Sequence, residues 1–198
     1  WIGGLGAGPV TLLVLQPADH PNYRPFAVAS GPEALVQRVA ASCPTGVMVV
    51  TFHKDDVFAE PLKASIQHDF PNVVFPPQPL QSGLSELMVG LVDRVVTFSS
   101  NAGFTAMLQG TPVTTLGSAR YSALADHLRT CERNGAAHRA IRRNLLAFFS
   151  NGYLNDLNRL LTVPGHFTAC LARDGDRMDG YCDFERWTPG AAAAQLHV

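Results

Sequence analysis

The sequence has little lysine, few cysteines and no long apolar run, and each shortage excludes a class of protein. Lysine occurs only as Lys54 and Lys63, since nearly all the basic residues are arginine, and the formal net charge of -1 gives no sign of bulk electrostatic binding to nucleic acid. No apolar run is long enough to cross a bilayer. The N-terminus also lacks the basic segment and apolar core of a signal peptide. We therefore expect a cytoplasmic protein that has no nucleic-acid partner.

The cysteines lack the spacing of a metal site. Cys43, Cys131, Cys170 and Cys182 are scattered without a Cys-x-x-Cys pair, which argues against zinc and predicts reduced thiols. A disulfide between Cys170 and Cys182 stays open as an alternative. Asp55 and its neighbour Asp56 are more typical of a helix start than of a metal site. We expect no metal and no bound cofactor. A serine hydrolase is disfavoured because no Gly-x-Ser-x-Gly elbow is present.

The length suits one domain with a tail. Residues 1–10 are rich in glycine and do not begin with Met, so we expect a linker or the end of a preceding domain. Residues 11–163 predict a Rossmann-like domain with helices at its C-terminal end. Residues 164–198 lose the periodic pattern and predict an irregular tail. The early glycines do not form a dinucleotide loop, because no strand precedes them and their spacing is wrong.

Short apolar runs alternate with helical patterns, which predicts an α/β fold with a doubly wound parallel sheet of four or five strands and helices on both faces. The predicted strands are Thr11–Leu15, Val47–Phe52, Val73–Phe75, Val95–Phe98 and Val113–Leu116. The predicted helices between them are Pro32–Ser42, Phe58–Phe70, a helix from Ser82 whose residues Leu84, Leu87, Met88 and Leu91 have helical spacing, and Phe104–Leu108. Further helical patterns, one carrying Arg139, Arg142 and Arg143 on a solvated face, follow Tyr121.

Polar residues follow three of these strands, where open α/β sheets bind their ligands. They are Gln16 and Asp19 after the first strand, His53 and Lys54 after the second, and Ser99 and Ser100 after the fourth. Lys54 is suited to balance the charge of a phosphate. Each group also has a plain structural interpretation, as a polar loop, a hydrogen-bonded loop histidine and a helix cap.

The stretch from Val95 to Tyr121 carries the strongest signal. Ser99 or Ser100 suits the N-cap of the following helix, whose first N–H groups and positive dipole end favour an anion. Gly103 removes a side chain where a ligand approaches closely. The two serines can therefore donate hydrogen bonds to a phosphate, although capping alone would also explain them.

The run SSNAGFTAMLQGTPVTTLGSARY resembles the signature of the capsule polysaccharide biosynthesis family. Its pattern falls on Ser99, Ser100, Ala102, Gly103, Gly110, Pro112, Val113, Gly117 and Tyr121. The family includes bacterial capsule Kdo transferases, which use a CMP-activated sugar. The resemblance implies the donor-binding half of a GT-B-type, metal-independent glycosyltransferase.

The resemblance also implies residue roles. In retaining members an Asp at the position of Asp19 is implicated as nucleophile, and we expect Gln16 to orient it. His53 matches a family His that contacts the donor phosphate, whereas Lys54 replaces the family's Pro. The expected donor-binding residues are His53, Lys54, Ser99, Ser100, Asn101, Gly103 and Tyr121.

The function implied is transfer of Kdo or a related acidic sugar from a CMP- or other nucleotide-activated donor to a glycan or glycolipid acceptor. Its place would be the cytoplasm, with association to the inner membrane through an assembly complex or another domain left open. A catalytically silent module that binds a sugar nucleotide or a glycan within an assembly complex is the alternative. The replacement of the family's Pro by Lys54 motivates that alternative.

Overall fold

The computed structural model describes residues 4–5, 8–17, 31–53, 56–78, 80–81, 83–117, 119, 121–130 and 135–148. The chain divides into two compact units, residues 1–131 and 132–198, and each is described by itself. Five strands and five helices of the described residues lie in the first unit, and one helix lies in the second.

The first unit is built on a five-stranded sheet in which every pair of neighbours is parallel. Its strands are β1 (Val10–Val14), β2 (Val47–Thr51), β3 (Val73–Val74), β4 (Arg94–Thr97) and β5 (Val113–Thr115). Their order across the sheet is β3-β2-β1-β4-β5, which is the Rossmann arrangement. The predicted α/β fold with a parallel sheet is therefore confirmed.

Helices cover both faces of this sheet. They are α1 (Pro32–Ser42), α2 (Glu60–Asp69), the single turn α3 (Ser85–Met88), α4 (Asn101–Gln109) and α5 (Ser122–Thr130). Leu13, Val50 and Val96 belong to one buried cluster with apolar residues of α1 and α2. Thr51 and Thr97 directly follow Val50 and Val96, so their side chains lie on the opposite face of the sheet. There they contact α3 and α4 respectively. The sheet is thus doubly wound, as the alternating pattern predicted.

The register places three strand ends side by side. Val14 at the end of β1 lies opposite Thr51 of β2 on one side and opposite Thr97 of β4 on the other. The chain runs from β1 outward through β2 and β3, and then crosses to β4 on the other side of β1. The order of the strands therefore reverses between β1 and β4, and open α/β sheets bind ligands beyond the strand ends at such a point.

Two predicted helices differ from those observed. The helix predicted from Ser82, with its periodic residues reaching Leu91, is only α3, and Leu87 and Leu91 are 73% and 63% exposed. Gly83, with φ of 76°, holds the left-handed conformation just before it, which interrupts a helix at that point. The helix predicted at residues 104–108 begins earlier, at Asn101.

The second unit contains α6 (Ala136–Phe148) among its described residues. Arg139 and Arg143 are exposed, whereas Arg142 is half-buried, and burial lowers the pKa of its guanidinium. The leucine pattern after residue 150, the predicted boundary at 163 and the predicted tail 164–198 lie outside the described residues. So do Cys131, Cys170 and Cys182, while Cys43 is a buried free thiol. Within the described part of the chain, no helix is both long and apolar enough to cross a membrane.

Candidate functional site

The junction between β4 and α4 is a short turn that Ser100 closes. Ser100 has the extended backbone of an N-cap, and its Oγ accepts a hydrogen bond of 3.2 Å from the N–H of Ala102. Its own N–H donates to Thr97 Oγ1 at 3.3 Å, and its carbonyl accepts from Gly103 N–H at 3.0 Å. Of the two serines predicted as caps, Ser100 is the one that caps the helix.

Ser99 has a different partner, on the neighbouring strand end. Its N–H and its Oγ both lie against Gln16 Oε1, at 3.0 and 2.9 Å. The amide oxygen of Gln16 carries no hydrogen, so Ser99 is the donor in both bonds. Gln16 follows β1 and Ser99 follows β4, and these two strands flank the point where the strand order reverses. Two residues predicted from separate stretches of the sequence are therefore in direct contact.

Tyr121 holds the start of α4 from the other side. It is only 2% exposed, its Oη donates to the carbonyl of Ser100, and its ring lies 6.0 Å from that of Phe104. A Cβ on Gly103 would lie 2.8 Å from Thr97 Cγ2 and would also meet Tyr121 Oη. Glycine at 103 thus makes room for Tyr121, a reason that the sequence did not reveal. That Gly103 and Tyr121 contact a donor remains a prediction.

Two further glycines of the signature have structural roles, one in backbone conformation and one in packing. Gly110 ends α4 in the left-handed conformation, with φ of 84°, which glycine adopts readily. A Cβ on Gly117 would lie 2.6 Å from Cδ1 of the buried Phe98 ring, while the Gly117 N–H donates to the Phe98 carbonyl at 3.1 Å. The signature therefore encodes the geometry of the junction as well as its polar groups.

His53 lies on the same edge of the sheet, beyond the end of β2. It is exposed and pairs with Asp56, whose N–H donates to its carbonyl at 3.2 Å. Because β1 separates β2 from β4 and neighbouring strands are about 4.8 Å apart, the ends of β2 and β4 are about 10 Å apart. Asn101 is exposed at the start of α4, whereas Asp19 and Lys54 lie outside the described residues.

Lys63 of α2 is a buried polar residue at this edge that the sequence did not mark as a site residue. It is 3% exposed, and its Nζ donates to Gln81 Oε1 at 2.9 Å and to Glu60 Oε1 at 2.8 Å. The ammonium also lies 5.5 Å from the centre of the Phe52 ring. The backbone carbonyl of Gln81 in turn accepts a hydrogen bond from the N–H of Phe52, which directly precedes His53. The scarcity of lysine was the only signal of this residue in the sequence.

Two buried threonines complete the edge beside β1. Thr51 Oγ1 lies 3.4 Å from the carbonyl of Leu13, to which it donates, and 2.8 Å from Ser85 Oγ. Thr97 Oγ1 donates to the carbonyl of Val14 at 3.2 Å. Both side chains are fully buried. Through these contacts, Thr51 connects β1 to the start of α3, and Thr97, which also accepts the Ser100 N–H, connects β1 to the start of α4.

The chemistry available at this edge is that of hydrogen-bond donors. Serine hydroxyls, backbone N–H groups at the start of α4 and an exposed imidazole are groups that bind phosphate oxygens in proteins. Among the described residues, no three His, Cys, Asp or Glu side chains cluster so that they could hold a metal ion.

Comparisons with known proteins bear on the same region. Residues 80–151 match the family described as capsule polysaccharide biosynthesis protein. A solved structure of Thermosulfurimonas dismutans KpsC, a beta Kdo 2,7 transferase, is similar at 16% identity with a TM-score of 0.46. That similarity covers 59% of this chain and 36% of the other, so it spans about a third of the longer protein. No curated protein sequence matches. The predicted similarity to the capsule polysaccharide biosynthesis family is thus confirmed, over residues that include α4, β5 and the turn that Ser99 and Ser100 form.

Proposed function

We propose that this chain provides the donor-binding half of a GT-B-type glycosyltransferase of capsule or surface polysaccharide synthesis. It would transfer Kdo or a related acidic sugar from a CMP- or other nucleotide-activated donor to a glycan or glycolipid acceptor. A second half of the enzyme would supply the acceptor site. The enzyme would act at the cytoplasmic side of the inner membrane, with association to the membrane surface through an assembly complex or another domain.

The contact between Gln16 and Ser99 is the observation that carries this proposal. It joins the ends of β1 and β4 at the point where the strand order reverses, which is where nucleotides bind in folds of this kind. The serine side of the contact lies within the residues that match the capsule family. Position in the fold and family similarity therefore indicate the same edge of the sheet.

The donor phosphate would lie over the start of α4, between Ser100 and His53. The positive end of the α4 dipole and the Ser100 hydroxyl would bind its oxygens, and His53 and Lys54 would supply further donors. This set of donors can balance the charge of one phosphate, so we propose a mechanism without a metal. About 10 Å between the ends of β2 and β4 leaves room for a phosphate and part of its sugar.

The chemical step would use Asp19, three residues beyond Gln16. A carboxylate facing the anomeric carbon can form a covalent adduct as the nucleotide leaves, and the acceptor hydroxyl then displaces it. The bond from the anomeric carbon to the phosphate oxygen breaks in the first step. In the second step, the acceptor oxygen bonds to the anomeric carbon, the bond to Asp19 breaks and restores the free carboxylate, and the acceptor's proton passes to solvent.

Calorimetry with CMP on the 198-residue chain tests the donor site. We expect His53→Ala and Ser100→Ala each to weaken CMP binding about tenfold or more, because each removes a charge-assisted hydrogen bond. His68→Ala and Ser42→Ala are matched controls. Both residues lie near the C-terminal ends of helices at the opposite edge of the sheet, and neither change should alter CMP affinity. CMP affinity that is unchanged in both site variants would contradict the proposal.

Asp19→Asn separates the enzyme from a silent binding module. Mass spectrometry of the chain mixed with a panel of nucleotide sugars first identifies the donor. Transfer is then followed with the second half of the enzyme supplied. If the chain is part of an enzyme, Asp19→Asn should abolish transfer and keep the donor affinity. A parent chain that binds a donor but shows no transfer with any donor of the panel would support the alternative, a silent binding module.

A further inference from the structure

The two adjacent serines use their hydroxyl hydrogens in opposite ways. Ser99 donates its hydroxyl hydrogen and its N–H to the same atom, Gln16 Oε1. Neither hydrogen can be given to a ligand while that contact is made. Ser99 can then meet a ligand only through the lone pairs of its oxygen, which repel an anion.

Ser100 is in the reverse situation. Its Oγ accepts the N–H of Ala102 through a lone pair, so its own hydrogen points away from that N–H. Across the described residues, no acceptor is bonded to that hydrogen. Ser100 is also held in place by three other contacts of its backbone, to Thr97, Gly103 and Tyr121. A fixed hydroxyl with its hydrogen available suits the recognition of an oxyanion.

We infer that Gln16 is a positioning residue that clamps Ser99 across the strand reversal, so that Ser100 is the member of the pair that donates its hydroxyl hydrogen to the donor phosphate. The part of this inference that concerns phosphate rests on the proposed function. It departs from the expectation that both serines donate to the phosphate, and it gives Gln16 a partner other than Asp19.

The clamp also has a structural consequence. The contact ties residues 83 positions apart in the chain and links the end of β1 to the turn before α4. Loss of either side should let this turn shift relative to β1 and should weaken every ligand at the edge to a similar degree. Loss of the Ser100 hydroxyl should instead weaken only ligands that carry a phosphate.

Affinities for CMP and for cytidine, which lacks the phosphate, separate these effects. We expect Ser100→Ala to weaken CMP about tenfold or more and to change cytidine by less than about twofold. In Ser99→Ala, and likewise in Gln16→Leu, the affinities for CMP and for cytidine should fall by equal factors. The ratio of CMP affinity to cytidine affinity in each variant should therefore equal that of the parent chain. A fall of that ratio in Ser99→Ala as large as in Ser100→Ala would overturn the assignment.

Gln16→Glu is the conservative variant. A carboxylate oxygen can accept both hydrogens of Ser99, so the clamp should persist and cytidine affinity should stay within about twofold of the parent. The added negative charge would lie beside the proposed phosphate position and should lower CMP affinity alone. A loss of cytidine binding as large as in Gln16→Leu would show that the two accepted bonds are not what positions Ser99.

A double-mutant cycle in urea tests the clamp without any ligand. The cycle compares the unfolding equilibrium constants of Gln16→Leu, Ser99→Ala and the double variant with that of the parent chain. If Gln16 and Ser99 act as one contact, the change in this constant in the double variant should differ at least fivefold from the product of the two single changes. Additive effects would overturn the clamp. A parent chain that binds neither CMP nor cytidine would defeat the proposed function and the phosphate role of Ser100, and the urea cycle would still decide the clamp.

Discussion

The two strand ends that flank β1 are secured in different ways. After β4, the turn is closed by its immediate neighbours, because Thr97 Oγ1 accepts the N–H of Ser100 and Ser100 Oγ accepts that of Ala102. After β2, Thr51 contacts Ser85. Phe52 is held by Lys63 of α2 and by Gln81 of the connection before α3. The turn of the first junction is closed by local hydrogen bonds, with Gln16 and Tyr121 as added distant contacts, whereas the second junction depends throughout on residues distant in sequence.

This difference bears on what each junction can do. A locally closed turn whose position against β1 is fixed by Gln16 keeps its geometry when the β2 junction changes, which suits a rigid binding site for an anion. The end of β2 carries the exposed His53 on a segment that is held through a buried ammonium. Changes at Lys63 should therefore disturb His53 and leave Ser100 in place.

The largest expected effect is that of Lys63→Met. Methionine fills similar volume but leaves the buried Gln81 oxygen without its donor, which should lower the free energy of unfolding by about 2 kcal/mol. Urea unfolding measures this loss. Glu60→Gln is the control, because the Glu60 side chain is 74% exposed and its removal should cost less than about 0.5 kcal/mol.

CMP affinity sharpens the same experiment. Lys63→Met should weaken CMP through the displaced His53, and adding His53→Ala should then cost less than it does in the parent chain. A Lys63→Met protein that is as stable as the parent would show that the ammonium contributes no net stability. The dependence of the β2 junction on remote residues would then be wrong.

The next effect is expected at Gly103→Ala, which tests the rigid junction. Alanine favours a helix by about 1 kcal/mol over glycine, but the new Cβ would meet Thr97 and Tyr121, and overpacking of this kind costs about 1–3 kcal/mol. We expect a net loss of about 1.5 kcal/mol in urea unfolding. Addition of Tyr121→Phe removes the hydroxyl that the Cβ meets. The double variant should therefore lose less unfolding free energy than the sum of the losses in the two single variants. Equal stability of Gly103→Ala and the parent would contradict the packing.

The local junction was also the one that the sequence predicted best. Short continuous apolar runs gave the strands to within one or two residues, and the helix cap and the glycine that ends α4 are readable from neighbouring residues. These features depend on contacts over a few positions. The family resemblance rested on the same stretch.

What the sequence could not predict depends on distant contacts. Nothing local indicates that Gln16 meets Ser99, that Lys63 is buried, or that Gly103 faces Tyr121. Helical spacing also misled at Leu87 and Leu91, because a periodic pattern carries no information on whether a neighbour covers the side chains. Asp19 and Lys54, outside the described residues, remain predictions.

The smallest expected effect compares the two buried threonines directly. Thr51→Val and Thr97→Val keep the shape of the side chain and remove one hydroxyl, and each should cost about 1 kcal/mol of stability because a β1 carbonyl loses a donor. The variants should differ in binding. Thr97→Val also removes the acceptor of the Ser100 N–H, so it should weaken CMP severalfold, whereas Thr51→Val, whose hydroxyl contacts Ser85, should leave CMP affinity within about twofold. Calorimetry and urea unfolding on the same samples measure both quantities. Equal losses of CMP affinity would mean that the two strand ends act on the ligand as one rigid edge, and the contrast between a local and a remote junction would not extend to function.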